Sequence, residues 1–169
     1  MLIDILTDAS KSLIKYGLDR YIKKKEFETL AKCLRDRTKR EIRFNLEVVS
    51  ELMRSNEDLD QELKFKWIDE DRIKLFDCLK MDTFRAIEES LLPFDEVFKG
   101  VCDINKKLLE YTVKSGHTGT RLSKCDTISN LVERTYHRIE FTKLYCKSAN
   151  RNPDLAYLQD MMLLILKCI

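Results

Sequence analysis

The sequence predicts an all-α protein: a single-domain, irregular bundle of about six or seven antiparallel helices around a central helix near residues 37–55. Three observations carry that expectation. Apolar residues recur at three- and four-residue spacing through most of the chain. Four glycines and two prolines leave long stretches unpunctuated. No stretch alternates apolar and polar residues as a half-buried strand does, and no repeat or low-complexity segment is present. At 169 residues the chain is one domain by length, 1–169, and can bury roughly 70% of its unfolded surface.

Leu2, Ile5, Leu6, Ala9, Leu13, Leu18, Tyr21 and Ile22 give residues 1–24 the pattern of an amphipathic N-terminal helix, weakened at Gly17. Lys23, Lys24 and Lys25 then lead into a second pattern through Phe27, Leu30, Ala31 and Leu34. It runs without a breaker to Ser55 and Asn56. One long bent helix and two helices joined near Lys24 both fit, and two is the expected arrangement. Between Arg37 and Met53 the pattern carries two apolar rows: Ile42, Leu46, Val49 and Met53, and Phe44, Val48 and Leu52. A helix with two such rows is gripped from more than one side, which places it centrally.

Asn56 to Asp60 reads as a turn and cap region. Leu63, Trp67, Ile68, Leu75, Phe76 and Leu79 keep helical spacing but are interrupted by I-D-E-D-R, so two short helices are expected. Asp82 or Thr83 caps another short helix carrying Phe84, Ile87 and Leu91. Pro93 fits the first turn of the next helix, whose core stripe runs Phe94, Val97, Phe98, Val101, Ile104, Leu108, Tyr111 and Val113. Ser115 to Lys124 is a loop. Asp126 or Thr127 starts a long helix through Ile128, Leu131, Val132, Ile139 and Tyr145. Asn152 caps and Pro153 opens the last one, an apolar C-terminal helix over 153–169 that ends M-M-L-L-I-L-K-C-I.

Charged residues make up 36% of the chain and apolar ones 44%, an ordinary balance for a helical protein with a wet outside. A net charge of +2 gives no overall electrostatic case for nucleic acid or an anionic membrane, so any such case is local. The six cysteines, Cys33, Cys78, Cys102, Cys125, Cys146 and Cys168, form no C-x-x-C pair. They are expected as free thiols. Acids interrupt the apolar N-terminus, unlike a signal peptide, and no run approaches the roughly 20 apolar residues of a membrane span. A cytoplasmic location is expected.

Lys32, Arg35, Lys39 and Arg43 share one helix face, a spacing that suits contact with a phosphate backbone. Glu28, Asp36 and Glu47 stand four residues from Lys32, Arg40 and Arg43 and can neutralise that face instead. Glu41 and Asn45 lie one turn apart among apolar rows. A buried Asn45 needs partners for both ends of its amide, and Asn105 is the expected counterpart. The histidines, His117 and His137, lack the arginine spacing of the HEPN ribonucleases, since only two residues separate Arg134 from His137. A divergent ribonuclease around that pair ranks last. G-H-T-G-T-R, from Gly116 to Arg121, lacks the G-K-[ST] ending of a phosphate loop and reads as a connector. No catalytic residue, metal or cofactor is assigned. Helices as apolar as the two terminal ones are either surrounded or docked on something else. Leu2, Ile5, Leu6, Met161, Leu164, Ile165, Cys168 and Ile169 are therefore the candidate protein interface.

The run L-R-D-R-T-K-R-E-I-R-F-N-L-E-V-V-S-E-L-M, from Leu34 to Met53, resembles a stretch of uncharacterised all-helical bacterial proteins with an R-E-I-x-x-N-L pattern. L-K-M-D-T-F-R-A-I, from Leu79 to Ile87, and Ile104-Asn105 have counterparts in the same group. The resemblance implies an accessory component, in some cases from bacterial defence loci, and carries over no active-site residue. The expectation is a non-enzymatic helical subunit that binds a larger protein partner, in a hetero-complex or homo-oligomer. The alternative is a nucleic-acid-binding module using the Lys32–Arg43 face.

Overall fold

A computed structural model describes residues 24–57, 70–104, 106, 107, 126–148 and 154–169. Among them the regular structure is entirely helical. Helix α1 spans Lys24–Glu57, α2 Glu70–Asp77, α3 Asp82–Glu89, α5 Ile128–Ser148 and α6 Leu155–Cys168, with a single helical turn, α4, at Phe94–Val97. The expected helices at 1–24 and around Leu63–Trp67, the Ser115–Lys124 loop with His117, and Asn105 lie outside the described residues.

Helix α1 touches α2, α3, α4 and α6, while α5 touches α2, α4 and α6. The two long helices thus flank the shorter elements, and the core lies between them. Along α1 the buried positions are Ala31, Leu34, Thr38, Glu41, Ile42, Asn45, Val48, Val49 and Leu52. That is one broad stripe rather than two separate rows: Leu46, Met53 and Phe44 are its half-buried edges, and polar residues occupy its middle. Phe76, Phe98, Ile87, Leu131, Ile139, Leu158, Met161 and Met162 from the other elements are fully enclosed in the same core.

Several boundaries follow from caps the sequence shows plainly. Thr127 Oγ1 accepts from the Asn130 amide at 3.2 Å and starts α5 as expected. Asp154, rather than Asn152, caps α6: its side chain accepts from the Tyr157 amide at 3.1 Å, and the first helical residue is Leu155. An ionised carboxylate at this position meets both an unpaired amide and the positive end of the helix.

Two elements end earlier than their apolar pattern. The stripe from Phe94 to Val113 is not one helix, because α4 closes at Val97, Phe98 leaves helical geometry (φ −103°, ψ 9°) and Gly100 adopts φ +68°. Glycine reaches that left-handed region without the penalty a Cβ brings. The side chains of Phe98 and Ile104 still reach the core, so hydrophobic spacing survives a turn that helical periodicity alone does not reveal. Pro93 precedes α4 in extended geometry (ψ 121°) instead of sitting in its first turn. Leu91 is 68% exposed at φ +56° and terminates α3, so it is not a core residue.

The apolar last helix is surrounded by the chain itself. Met161, Leu164, Ile165 and Cys168 are buried against α1 and α5, and Ile169 is half-buried. The apolar area of the four buried residues is thus spent largely within the chain, while Ile169 keeps part of its surface. Leu2, Ile5 and Leu6 fall outside the described residues.

Candidate functional site

Short helices leave more unpaired backbone groups per residue than long ones, and here side chains from α1 and α5 satisfy them. The α3 helix has no cap from its own neighbours. Its cap comes from α1: Glu41 Oε2 accepts from the Thr83 amide at 2.9 Å and from Thr83 Oγ1 at 3.0 Å. One turn further along α1, Asn45 satisfies both ends of its amide on one residue. Its Nδ2 donates to the Lys80 carbonyl at 2.8 Å, and the Lys80 amide donates to its Oδ1 at 2.7 Å. The expected polar link at Glu41 and Asn45 is therefore present as backbone recognition of the α2–α3 connection. Asn105, the expected counterpart, lies outside the described residues.

The basic row of α1 is divided by the same logic. Arg35 Nη1 donates to the Val97 carbonyl at the end of α4, at 2.6 Å, and Lys39 Nζ to the Ile169 main-chain oxygen beyond α6, at 2.5 Å. Only Lys32 and Arg43 of the four are exposed. Two of the four cations thus meet main-chain oxygens of the fold itself, and Lys32 and Arg43 are the members of the row that face solvent. From the other long helix, Lys143 Nζ donates to the carbonyls of Asp77 and Leu79 at 3.1 and 2.8 Å, closing α2.

Tyr136 of α5 is fully buried and lies near Glu41, with Phe84 stacked on it at a ring separation of 5.0 Å. Burial first, and then the Glu41 carboxylate, hold the Tyr136 phenol well above its ordinary 10, with Arg37 pulling weakly the other way. Glu41 Oε1 and the Tyr136 hydroxyl have no hydrogen-bond partner among the described residues.

The outer edge of α5 is different in kind. Arg134, His137, Arg138 and Phe141 recur at helical spacing and, with Tyr157 and Met161 of α6, line a groove of about 310 Å³. The Arg138 guanidinium carbon lies 5.7 Å from the ring centres of both Phe141 and Tyr157. Its Nε is buried and has no acceptor among the described residues. An arginine fork held against aromatic rings is preorganised to take a planar oxyanion. Beyond it, Phe141 is 51% exposed and stacks on Tyr145 at 5.3 Å, and Leu144 is 64% exposed. His137 packs edge-on to Phe84 at 5.3 Å and stands 4.0 Å from Glu133.

Sequence spacing brought Arg134 and His137 to notice, and the structure does place both in one groove. It missed Arg138, Phe141 and Tyr157. The available signal was Arg134, Arg138, Phe141 and Tyr145 recurring along one edge of a helix whose opposite face is apolar. A second concavity of about 410 Å³, beside α4 and the start of α5, includes Asp95, Glu96, Asp103 and Asp126. Among the described residues no cluster of His, Cys, Asp and Glu has metal-holding geometry, and no helix is long and apolar enough to cross a membrane. No protein-family model matches the chain, and neither a curated protein nor a solved structure matches it significantly.

Proposed function

We propose that the chain is a helical accessory subunit, without catalysis of its own, that docks a partner protein on the outer edge of α5. The observation that carries this is Arg138: a guanidinium against two aromatic rings, with a buried, unpaired Nε, in a groove that also holds Arg134 and His137. The exposed Phe141 and Leu144 beside it supply apolar area, so the fitting occupant is an acidic protein segment with an apolar side chain next to its carboxylate. Arginine and aromatic anchors of this kind dominate the energetics of protein interfaces. An extended polyanion fits less well, because Glu133 and Glu140 are also exposed on α5.

The test compares wild type with Arg138→Ala, Phe141→Ala and Lys32→Ala in quantitative pull-downs from the native host. The captured partner's acidic segment is then titrated as a synthetic peptide. A partner held by wild type and Lys32→Ala, and lost at least tenfold by the other two, supports the reading. Equal retention by all four overturns it. Salt-sensitive binding of labelled RNA lost in Arg134→Ala, or RNA cleavage lost in His137→Ala, replaces it with a nucleic-acid function.

A further inference from the structure

The groove on α5 is not the only place where reactive groups converge. Cys102, in the segment after α4, and Cys168, in the last turn of α6, are 66 positions apart in the chain, yet their sulfurs lie 2.8 Å apart. A disulfide bond is about 2.05 Å long, so a small approach separates this pair from covalent contact. Both are free thiols. Cys168 is buried, whereas Cys102 is half-buried and lines the concavity beside α4, so Cys102 is the more accessible of the two.

We propose that Cys102 and Cys168 form a dithiol modification site, oxidised by small-molecule disulfides to an internal cross-link that ties the C-terminal helix to the segment after α4. The order of attack follows from exposure. The Cys102 thiolate attacks one sulfur of the small disulfide, forming a mixed disulfide and releasing one thiolate. The Cys168 thiol gives its proton to solvent or to that released thiolate and attacks Cys102 Sγ, expelling the second small thiol. One disulfide is reduced to two thiols and two protein thiols become one disulfide, so atoms and electrons balance. Burial, and then the adjoining Cys102, push the Cys168 thiol up to about 12, which keeps it protonated and leaves the first attack to Cys102. Lys107 opposes that shift weakly.

The consequence is mechanical. Helix α6 packs on both α1 and α5, and Lys39 already meets Ile169 beside Cys168 at its C-terminal end. A cross-link at Cys168 closes a long loop and removes freedom mainly from the unfolded chain. The expected readout is a rise in Tm of roughly 10 °C.

The full chain is incubated with oxidised glutathione, denatured, alkylated and mapped by mass spectrometry. Two of its six thiols are expected to escape alkylation, with one new peptide pair joining Cys102 to Cys168. Reduction restores all six, and the Tm returns to its starting value. Cys102→Ser abolishes the internal bond. Cys168→Ala, which keeps the site apolar, leaves a glutathione adduct on Cys102. Full alkylation after oxidation overturns the proposal. So does a bond between other cysteines, or a glutathione adduct that never resolves in the wild-type chain.

Discussion

Helices α1 and α5 are both long, both two-faced and both carry a row of cations, but the contacts described for those cations differ. On α1 the middle of the buried stripe is polar, and its side chains read the backbones of neighbouring elements: Glu41 at Thr83, Asn45 at Lys80, Arg35 at Val97 and Lys39 at Ile169. On α5 the buried face is largely apolar and Lys143 closes a helix end, while Arg138 lies against two rings and a groove. Charge density therefore misleads as a guide to binding. On the function proposed above, a cation is available for recognition where the fold itself supplies no acceptor.

The sharpest way to break this contrast is to truncate the polar centre of α1. Asn45→Ala strands both the amide and the carbonyl of Lys80 in a part-buried setting and is expected to cost about 3 kcal/mol in chemical denaturation. Glu41→Ala is expected to cost a similar amount by uncapping α3. A loss below about 1 kcal/mol for both would show that these contacts are incidental.

Next comes the complementary measurement on α5. Arg138→Ala is expected to weaken partner binding about tenfold to a hundredfold, or about 1.4–2.7 kcal/mol, while stability moves by less than about 1 kcal/mol. If stability falls instead, Arg138 belongs with the α1 residues.

Arg35→Ala and Lys39→Ala are each expected to lower stability by about 1 kcal/mol through an unpaired helix-end carbonyl, with no change in RNA retention on a low-salt column. RNA retention that falls with either variant would restore the basic face of α1 as a binding surface.

The smallest neutral-pH effect is expected from Tyr136→Phe, within about 0.5 kcal/mol, because the hydroxyl it removes lies beside Glu41 without a hydrogen bond of good geometry. Its signature lies at high pH. Tyr136 and Cys168 both hold their protons more tightly folded than unfolded, so their contribution is complete below their ordinary values of 10 and 9. It is lost as pH rises, for Cys168 between 9 and about 12. Urea denaturation from pH 7 upward should show stability falling above pH 9, with a shallower fall in Tyr136→Phe and in Cys168→Ala. An unchanged alkaline slope in both would place these groups in contact with water.

The helical class was legible from periodicity, and the polar link at Glu41 and Asn45 from their place among apolar rows. Their partners were not. Any connection between helices can offer an amide and a carbonyl, so Lys80 left no mark in composition. The end of α4 was hidden because Phe98 and Ile104 continue the apolar spacing through a turn, although Gly100 was the available warning. The last helix could be recognised as greasy, but whether α1 and α5 or a foreign surface covered it depended on tertiary packing. The sulfur pair was invisible for a simpler reason: 66 positions apart, Cys102 and Cys168 have no local relation at all.

Helix α3 has eight residues, too few to persist in water unaided, and the carboxylate that starts it sits 42 positions away on another element. Its helical form therefore depends on α1, and it is expected to unwind once that contact is broken. The Thr83 amide should exchange its hydrogen for deuterium only at the rate set by whole-molecule opening, which makes this one proton a clock for the assembly of the fold.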